Sequence, residues 1–441
     1  MANQLFPAGL PERTWTEFSA AGFTAPVCGV VHSGLRPPVC GVPLGGIDTG
    51  CLDLEATGLL GYCAIFNSLF PRRGQLNMPF LGLCLGEPTR QTWVLTTLNI
   101  SGRQGVSWAD LYGRRYYAGL RTCRDIRYWG HYPVADMEFE TDCPVSVGLR
   151  AWAPFIPGDL AASNSPGAVF EVHLRNTDRV LHEGCVAFTF PGPTVEEAGT
   201  ARLERRQLSG SLRGVEVAGE QTSYALGAIS TNGVRAGGEL GIDGGAWEAV
   251  RDRLPLGVDQ AGASLAAHFR LEAGEEAVVR FVLAWHAPQW RGGGRMNAGG
   301  NLYRHMYASR FASAAQAAQW LADHHTELLS RVLAWQQVIY GERRLPAWLR
   351  DGLVNVLHLI TETSVWAQAR PPVGPWCRPE DGVFGMNESP RWCPQIECIP
   401  CSFYGNLPVV YFFPELALST LRAYKAYQYP SGAAPWVFGG L

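Results

Sequence analysis

Residues 168–174 read AVFEVHL and alternate apolar with polar side chains, as a β-strand with one solvated face does. Two more apolar runs of strand length lie in the same part of the chain, VSVGLRAW at 145–152 and AVVRFVLAW at 277–285. Gly and Pro recur at short intervals between such runs up to about residue 290. Many short strands separated by turns favour a β-sandwich over a sheet of alternating strands and helices.

The pattern changes near residue 301. Residues 311–340 are rich in Ala and contain neither Gly nor Pro, which predicts a helix. A second helix is predicted from Pro346 to about residue 370, and a third over residues 413–427. The segment at about 373–400, between these two helices, is predicted to be a loop.

These patterns predict a multidomain protein of β and α structure. We expect a β-sandwich at residues 1–300, a linker helix at 301–344 and the beginning of an all-helical domain at 345–441. Two or three helices cannot bury their apolar faces alone. We therefore expect the helical domain to be truncated here, or to be completed by a partner.

The composition excludes several classes of protein. The 441 residues are 47% hydrophobic and 17% charged, which excludes intrinsic disorder. A net charge of −3 argues against nucleic-acid binding, which normally needs a basic patch. The sequence has neither an apolar run of the ~20 residues that a membrane span needs nor a recognisable signal peptide. We therefore expect a cytoplasmic protein whose twelve cysteines stay reduced.

A glycine-rich segment, GVPLGGIDTG, occupies residues 41–50. It lacks the Lys-Ser/Thr pair of a phosphate-binding loop, so it does not predict nucleotide binding. Glycine permits backbone conformations and close approaches that other residues resist. The segment therefore predicts a tight strand–turn–strand.

Four cysteines form a candidate metal site. Cys393, Cys398 and Cys401 have the C-x4-C-x2-C spacing of plant-type iron–sulfur proteins, but the fourth, Cys377, precedes this run instead of following it. Zinc is favoured less, because the cluster contains only one CxxC pair. Buried cysteines without a ligand are the favoured interpretation, so we predict no metal and no cofactor.

Two glutamates, Glu388 and Glu397, lie in the predicted loop before the third helix. Aromatic rings can cover the apolar face of a sugar, and carboxyl groups can transfer protons or form a glycosyl ester. Composition alone favours the alternative that both are ordinary surface glutamates on a loop. The aromatic, Arg and amide residues near them in sequence are Trp376, Arg391, Trp392, Gln395, Phe403, Tyr404 and Asn406.

Several segments, in order, resemble glycoside hydrolase family 116, the family of non-lysosomal glucosylceramidases and bacterial β-glucosidases. PLGGIDTG at 43–50, followed by IFN at 65–67, is similar to the opening of the family's N-terminal domain. LAW at 283–285 is similar to the last strand of that domain, and LPAWLRD at 345–351 to the entry into the catalytic (α/α)6 barrel. The segments that follow in the family's order are EDG at 380–382, FG at 384–385, FY at 403–404 and FPEL at 413–416.

The resemblance implies a β-sandwich followed by the first part of an (α/α)6 barrel. It implies retaining hydrolysis of β-glucosides or related β-linked glycosides, including glucosylceramide-like ones, with Glu388 as the nucleophile. A second carboxyl group, ~5–5.5 Å away, would serve as acid and base; in the family this aspartate lies further along the barrel, beyond residue 441. Glu397 is expected to contact sugar hydroxyls, and Trp392 to stack on a sugar ring.

The chain departs from the family in two places. Pro400 stands where the family has a substrate-binding aspartate, and Glu397 is the nearby acid that could replace it. Asp48 stands where the family usually has glycine. The alternative function is a non-catalytic carbohydrate-binding protein on the same scaffold.

Overall fold

The computed structural model describes residues 4–68, 74–98, 120–229, 233–258, 260–291, 302–370, 374–389, 393–399, 405–436 and 439–440. The strands are β1 (Trp15–Phe18), β2 (Val27–Ser33), β3 (Val42–Gly45), β4 (Cys51–Leu54), β5 (Leu59–Cys63), β6 (Met78–Pro79), β7 (Leu81–Leu85), β8 (Thr92–Val94), β9 (Leu120–Thr122), β10 (Asp125–His131), β11 (Val134–Glu140), β12 (Val145–Trp152), β13 (Gly167–Asn176), β14 (His182–Phe190), β15 (Glu204–Leu208), β16 (Leu212–Ala218), β17 (Ser223–Ile229), β18 (Val234–Gly238), β19 (Ala263–Leu271), β20 (Glu276–His286), β21 (Gln289–Arg291), β22 (Leu302–Arg304), β23 (Ser364–Ala367), β24 (Val383–Ser389), β25 (Cys393–Ile396) and β26 (Gly439–Gly440). The helices are α1 (Leu160–Ser163), α2 (Val195–Ala198), α3 (Gly244–Ala249), α4 (Ala314–Tyr340), α5 (Ala347–Asn355), α6 (His358–Thr363), α7 (Leu407–Phe412) and α8 (Pro414–Ala426), with a 3₁₀ turn at Met306–Ser309.

Two large sheets share one hydrophobic core. The larger has the strand order β1-β2-β10-β11-β12-β13-β20-β17-β16-β15, and the smaller has the order β18-β19-β14-β7-β8-β9. Phe188 of the smaller sheet contacts Phe170 and Phe281 of the larger, with ring centroids 4.9 and 5.3 Å apart. The prediction of a β-rich N-terminal region is confirmed, and the two packed sheets are the layers that a sandwich requires.

The alternating segment AVFEVHL belongs to β13, but its polar side is not a free solvated face. Helix α4 lies against the outer side of the larger sheet, where its Leu321 joins Val169 and Val282 in a second hydrophobic cluster. On the same strand, Glu171 is only 5% exposed and bonds to Arg280 at 2.7 Å. The prediction of one wet face is therefore wrong for Val169, which the helix covers, and for Glu171, while His173 on the same side stays partly exposed.

The helical region follows the sequence patterns only in part. Helices α4 and α8 confirm the first and third predicted helices, but the second ends early, since α6 stops at Thr363 and the chain continues as strand β23. The β-branched residues Thr361, Thr363 and Val365 disfavour continued helix here. The (α/α)6 barrel and the division at residues 300 and 344 stay predictions. Among the described helices, none has both the length and the apolar character needed to cross a bilayer.

The glycine-rich segment forms the predicted strand–turn–strand. Strands β3 and β4 pair in antiparallel fashion, from Val42 opposite Leu54 to Gly45 opposite Cys51. In the turn between them, Gly50 has a φ of 70°, and a Cβ there would meet the Ala64 carbonyl oxygen at 2.4 Å. Only glycine fits this close approach.

A partly buried carboxyl group joins helix α5 to the sandwich. Asp351 accepts hydrogen bonds from Trp15 Nε1 and Asn355 Nδ2, each at 2.9 Å. It borders a cavity of about 210 Å³ that is also lined by His32 and Glu362. Loss of solvation in this place raises the pKa of Asp351 to about 6.

Replacing Asp351 by asparagine should change how stability depends on pH. The folded chain holds this proton more tightly than the unfolded chain, in which the pKa is about 3.9. The contribution of Asp351 to stability is therefore complete below about pH 4 and is lost as the pH rises through about 6, by up to roughly 3 kcal/mol. Urea unfolding of both proteins over this range would show the wild type losing stability relative to Asp351→Asn. A difference that does not vary with pH would contradict the raised pKa of Asp351.

Candidate functional site

The two glutamates singled out from the sequence lie on and beside paired strands, which corrects the predicted loop. Strand β24 carries Glu388 and pairs with β23 on one side and β25 on the other. Its partners on β25 are Ile396 for Asn387 and Cys393 for Ser389. Glu388 therefore lies opposite two residues of β25, in a β-bulge, a feature that often re-aims side chains beside functional sites.

On strand β24, the side chain of Glu388 is exposed to solvent. Its side chain is exposed, whereas residues 384–387 before it are buried. The neighbouring Asn387 is 8% exposed, and its Oδ1 atom has no hydrogen-bond partner within the described part of the chain. A carboxylate open to solvent beside a buried amide acceptor can bind a ligand rich in hydroxyl groups.

Glu397 lies inside the protein, so the surface-loop interpretation is wrong for this residue. It is 0% exposed and has a φ of 56°. Its Oε1 accepts a hydrogen bond from the Met386 amide at 2.6 Å, and its Oε2 accepts one from Asn406 Nδ2 at 3.2 Å. Its own amide donates to the Met386 carbonyl at 2.9 Å. Glu397 thus fixes the backbone of β24 at Met386, two residues before Glu388.

The third predicted site residue, Trp392, lies outside the described residues, as do Pro400 and the Phe403-Tyr404 pair. The stacking of Trp392 on a sugar and the contact of Glu397 with sugar hydroxyls both stay predictions. The structure does bring Asn406, one of the amides noted beside the acids, onto the Glu397 carboxylate.

Half of the cysteine cluster can be described. Cys398 is buried and Cys377 is partly buried, while the side chains of Cys393 and Cys401 lie outside the described residues. Loss of solvation raises the pKa of Cys377, which disfavours the thiolate that a metal needs. Among the described side chains, no three His, Cys, Asp or Glu residues lie close enough together to hold a metal ion.

Asp48 connects the glycine-rich turn to β23, the partner of the strand that carries Glu388. Its Oδ1 accepts a hydrogen bond from the Trp366 amide at 2.7 Å, and its Oδ2 accepts one from the Met306 amide at 2.9 Å. Its own amide donates to Ser364 Oγ at 2.9 Å. The sequence marks Asp48 only as a departure from the family's glycine, and its φ of 66° explains why glycine suits the position. The one sequence signal that could have revealed these contacts is a carboxylate inside an apolar, glycine-rich turn.

Comparison with known proteins identifies the N-terminal region. Residues 41–330 match the family model described as beta-glucosidase 2, glycosyl-hydrolase family 116, N-terminal. Similar solved structures include a protein assigned as a kojibiose phosphorylase from the human microbiome, at 8% identity and a TM-score of 0.37, over 97% of this chain and 46% of that one. Others are a polysaccharide lyase (9% identity, TM-score 0.27, 57% of this chain and 33% of that one) and an aldose 1-epimerase assigned in Klebsiella pneumoniae subsp. pneumoniae (9%, 0.25, 54% and 77%). The chain thus spans less than half the length of the phosphorylase.

Proposed function

Because this chain belongs to glycosyl-hydrolase family 116 through its N-terminal domain, we propose that it is part of a retaining glycoside hydrolase. The proposed substrates are β-glucosides or related β-linked glycosides, including glucosylceramide-like ones. Glu388 is the proposed nucleophile. The proposed acid/base residue is a second carboxyl group further along the protein.

The observation that carries this proposal is the position of Glu388. Its side chain is exposed at a bulge near the end of β24, whereas residues 384–387 before it are buried. A nucleophile must reach the anomeric carbon of a sugar while its backbone stays fixed. The bonds of Glu397 to Met386 and Asn406 supply that fixation from inside the protein.

The proposed reaction has two steps. First, an oxygen of Glu388 attacks the anomeric carbon, the bond to the aglycone oxygen breaks, and the second carboxyl group protonates that oxygen. A glycosyl ester of Glu388 results. The second carboxylate then takes a proton from water as the water attacks the anomeric carbon, which releases the sugar and regenerates Glu388.

Glu397 enters this proposal as the residue that supports the strand of Glu388. Each carboxylate oxygen of Glu397 could accept a second hydrogen bond, but the side chain is 0% exposed. A direct contact with sugar hydroxyls would therefore need the residues around it to move apart. We therefore place its contribution in positioning, and keep Trp392 as the proposed stacking residue.

The cytoplasm is the compartment that we propose for this protein. Cys28, whose thiol donates a hydrogen bond to the Ala347 carbonyl, and the thiols of Cys123 and Cys143 are reduced. Thiols persist in reducing compartments and tend to be oxidised outside the cell.

The chain should react with 2,4-dinitrophenyl 2-deoxy-2-fluoro-β-glucoside. Dinitrophenolate leaves without protonation, so the second carboxyl group is not needed for the first step, and the fluorine slows hydrolysis of the ester. Intact mass spectrometry should show one added fluoroglucosyl group, and peptide mapping should place it on Glu388. The α-anomer of the reagent is the matched control and should give no adduct.

Two results would count against the proposal. An adduct on another residue would overturn the assignment of Glu388. A folded chain that binds β-glucosides in calorimetry without forming an adduct would support the carbohydrate-binding alternative instead.

A further inference from the structure

A histidine distant in sequence lies between the glycine-rich turn and a second loop of the sandwich. His305 Nδ1 is 2.7 Å from Asp48 Oδ1, and His305 Nε2 is 2.7 Å from Asn67 Oδ1. His305 is 3% exposed and Asp48 is 1% exposed. The three side chains form a polar chain that is buried at Asp48 and His305 and partly exposed at Asn67.

The remaining contacts of Asn67 determine the direction of these hydrogen bonds. Asn67 Nδ2 donates to two backbone carbonyls, those of Ala287 at 3.1 Å and Gln289 at 2.9 Å. Since the amide nitrogen satisfies both carbonyls, the oxygen is the atom that faces His305. The other ring nitrogen faces a carboxylate that already accepts two backbone amides. Both nitrogens of His305 therefore face oxygen atoms, and both donate when the Asp48 carboxyl group is ionised.

Two residues in the left-handed region are held by this histidine. Asp48 has a φ of 66° and Asn67 has a φ of 63°. For residues other than glycine this conformation is unfavourable, by roughly 1–2 kcal/mol in general and less for Asn and Asp. Such conformations persist where the surrounding contacts over-determine them. Here the two turns are fixed to one imidazole.

The carboxylate of Asp48 also occupies the edge of the sheet that carries Glu388. Trp366, whose amide bonds to Asp48, lies in β23 opposite Phe384 of β24, and Ser364 lies opposite Met386. The outer edge of β23 is thus bound by a side chain of the sandwich. Burial raises the pKa of Asp48, and the contacts with His305 and with the amides of Trp366 and Met306 oppose that rise.

We infer that Asp48, His305 and Asn67 are positioning residues: a buried imidazolium–carboxylate pair, oriented by the asparagine, that fixes β23 and through it the strand of Glu388. The fixation of β23 follows from contacts alone, and the doubly protonated ring follows from these contacts together with an ionised Asp48. The link to catalysis rests on the proposed function. A buried ion pair is favourable only when its hydrogen-bonding groups are satisfied, and Asp48 and Asn67 meet that condition through backbone partners.

The protonation state is tested on the wild-type chain by nitrogen-15 NMR of the histidine rings at neutral pH. We expect both nitrogens of His305 to be protonated and their protons to exchange slowly with water. In Asp48→Asn, one of the two ring protons should be lost. A wild-type spectrum with one unprotonated His305 nitrogen would overturn the inference, and this result needs no variant to fold.

Positioning is tested with Asp48→Gly, because glycine suits the left-handed backbone but lacks the carboxylate. Hydrogen exchange at the Trp366 amide should become at least about tenfold faster. The rate constant for labelling of Glu388 should fall about tenfold or more, with the dissociation constant of the reagent within twofold of wild type. If the Trp366 amide of Asp48→Gly exchanges no faster than in the wild type, or if the variant is labelled as fast as the wild type, the positioning role is overturned. If the wild-type chain takes no label, the proposed function fails, whereas the NMR and exchange results still decide this inference.

Discussion

Replacing Glu388 by glutamine should abolish covalent labelling by the fluoroglucoside and lower β-glucoside turnover by the complete enzyme by about 10⁴-fold or more. The amide of glutamine has the shape of the carboxylate but does not attack an anomeric carbon. Because Glu388 is exposed, the substitution should leave the fold intact. Intact mass measures the labelling, and release of dinitrophenolate measures turnover.

Glu380→Gln is the matched control for this experiment. Glu380 precedes the same strand, is 65% exposed and forms an exposed ion pair with Arg378 at 3.5 Å. Loss of such a pair has little effect on a protein, so labelling should proceed as in the wild type. Equal labelling of Glu388→Gln and Glu380→Gln would remove Glu388 from the mechanism.

Replacing Asp136 by asparagine should lower the free energy of unfolding by about 3–5 kcal/mol. Asp136 and Arg150 face each other on β11 and β12 and are 0% and 4% exposed. Two hydrogen bonds join them, at 2.8 and 2.6 Å, and His131 Nε2 lies 3.4 Å from the carboxylate. The variant would leave the Arg150 charge buried without its partner, which is the costly case for an ion pair. A loss of this size is a large part of the stability of a typical protein.

The same pair gives stability a dependence on pH. Burial alone would raise the pKa of Asp136, but Arg150 and His131 outweigh burial and hold the pKa below its ordinary range. The stabilisation is therefore present above the unfolded pKa of about 4 and is lost as the pH falls below it. Urea unfolding at neutral pH measures the main effect, with Glu204→Gln, in an exposed pair with Arg206, as a control that should not change. A loss below about 1 kcal/mol for Asp136→Asn would show that the buried pair does not stabilise the fold.

Much of the fold could be predicted because it depends on local signals. Gly and Pro between short apolar runs indicated the strands, and their absence from residues 311–340 indicated helix α4. The alternation at residues 168–174 could not reveal that α4 covers the polar side of that strand. The second predicted helix was too long, because the apolar periodicity continues past Thr363 whereas the β-branched residues and the partner strand β24 favour an extended chain.

The candidate site, like the fold, could be predicted from the sequence only in part. Their chemistry and the family resemblance singled out Glu388 and Glu397 as candidate site residues. Neither predicted that Glu388 is exposed and Glu397 is buried. That difference depends on the pairing of β24 with β25 and on Asn406. The contacts of His305 with Asp48 and Asn67 span 257 and 238 positions of sequence. No local pattern reports such contacts, so only the folded structure shows them.

Helix α4 restricts the residue types that the two strands it covers can accept. On β13 and β20, Phe170 and Phe281 point into the core between the sheets, while Val169 and Val282 point into the cluster beneath the helix. A strand in an ordinary two-layer sandwich can accept polar residues on every second position. Where the helix covers them, these two strands have interior on both sides, so mutational tolerance should be lowest there. Sequence variation in the β-rich region should concentrate on outlying strands such as β15, whose side chains are mostly exposed.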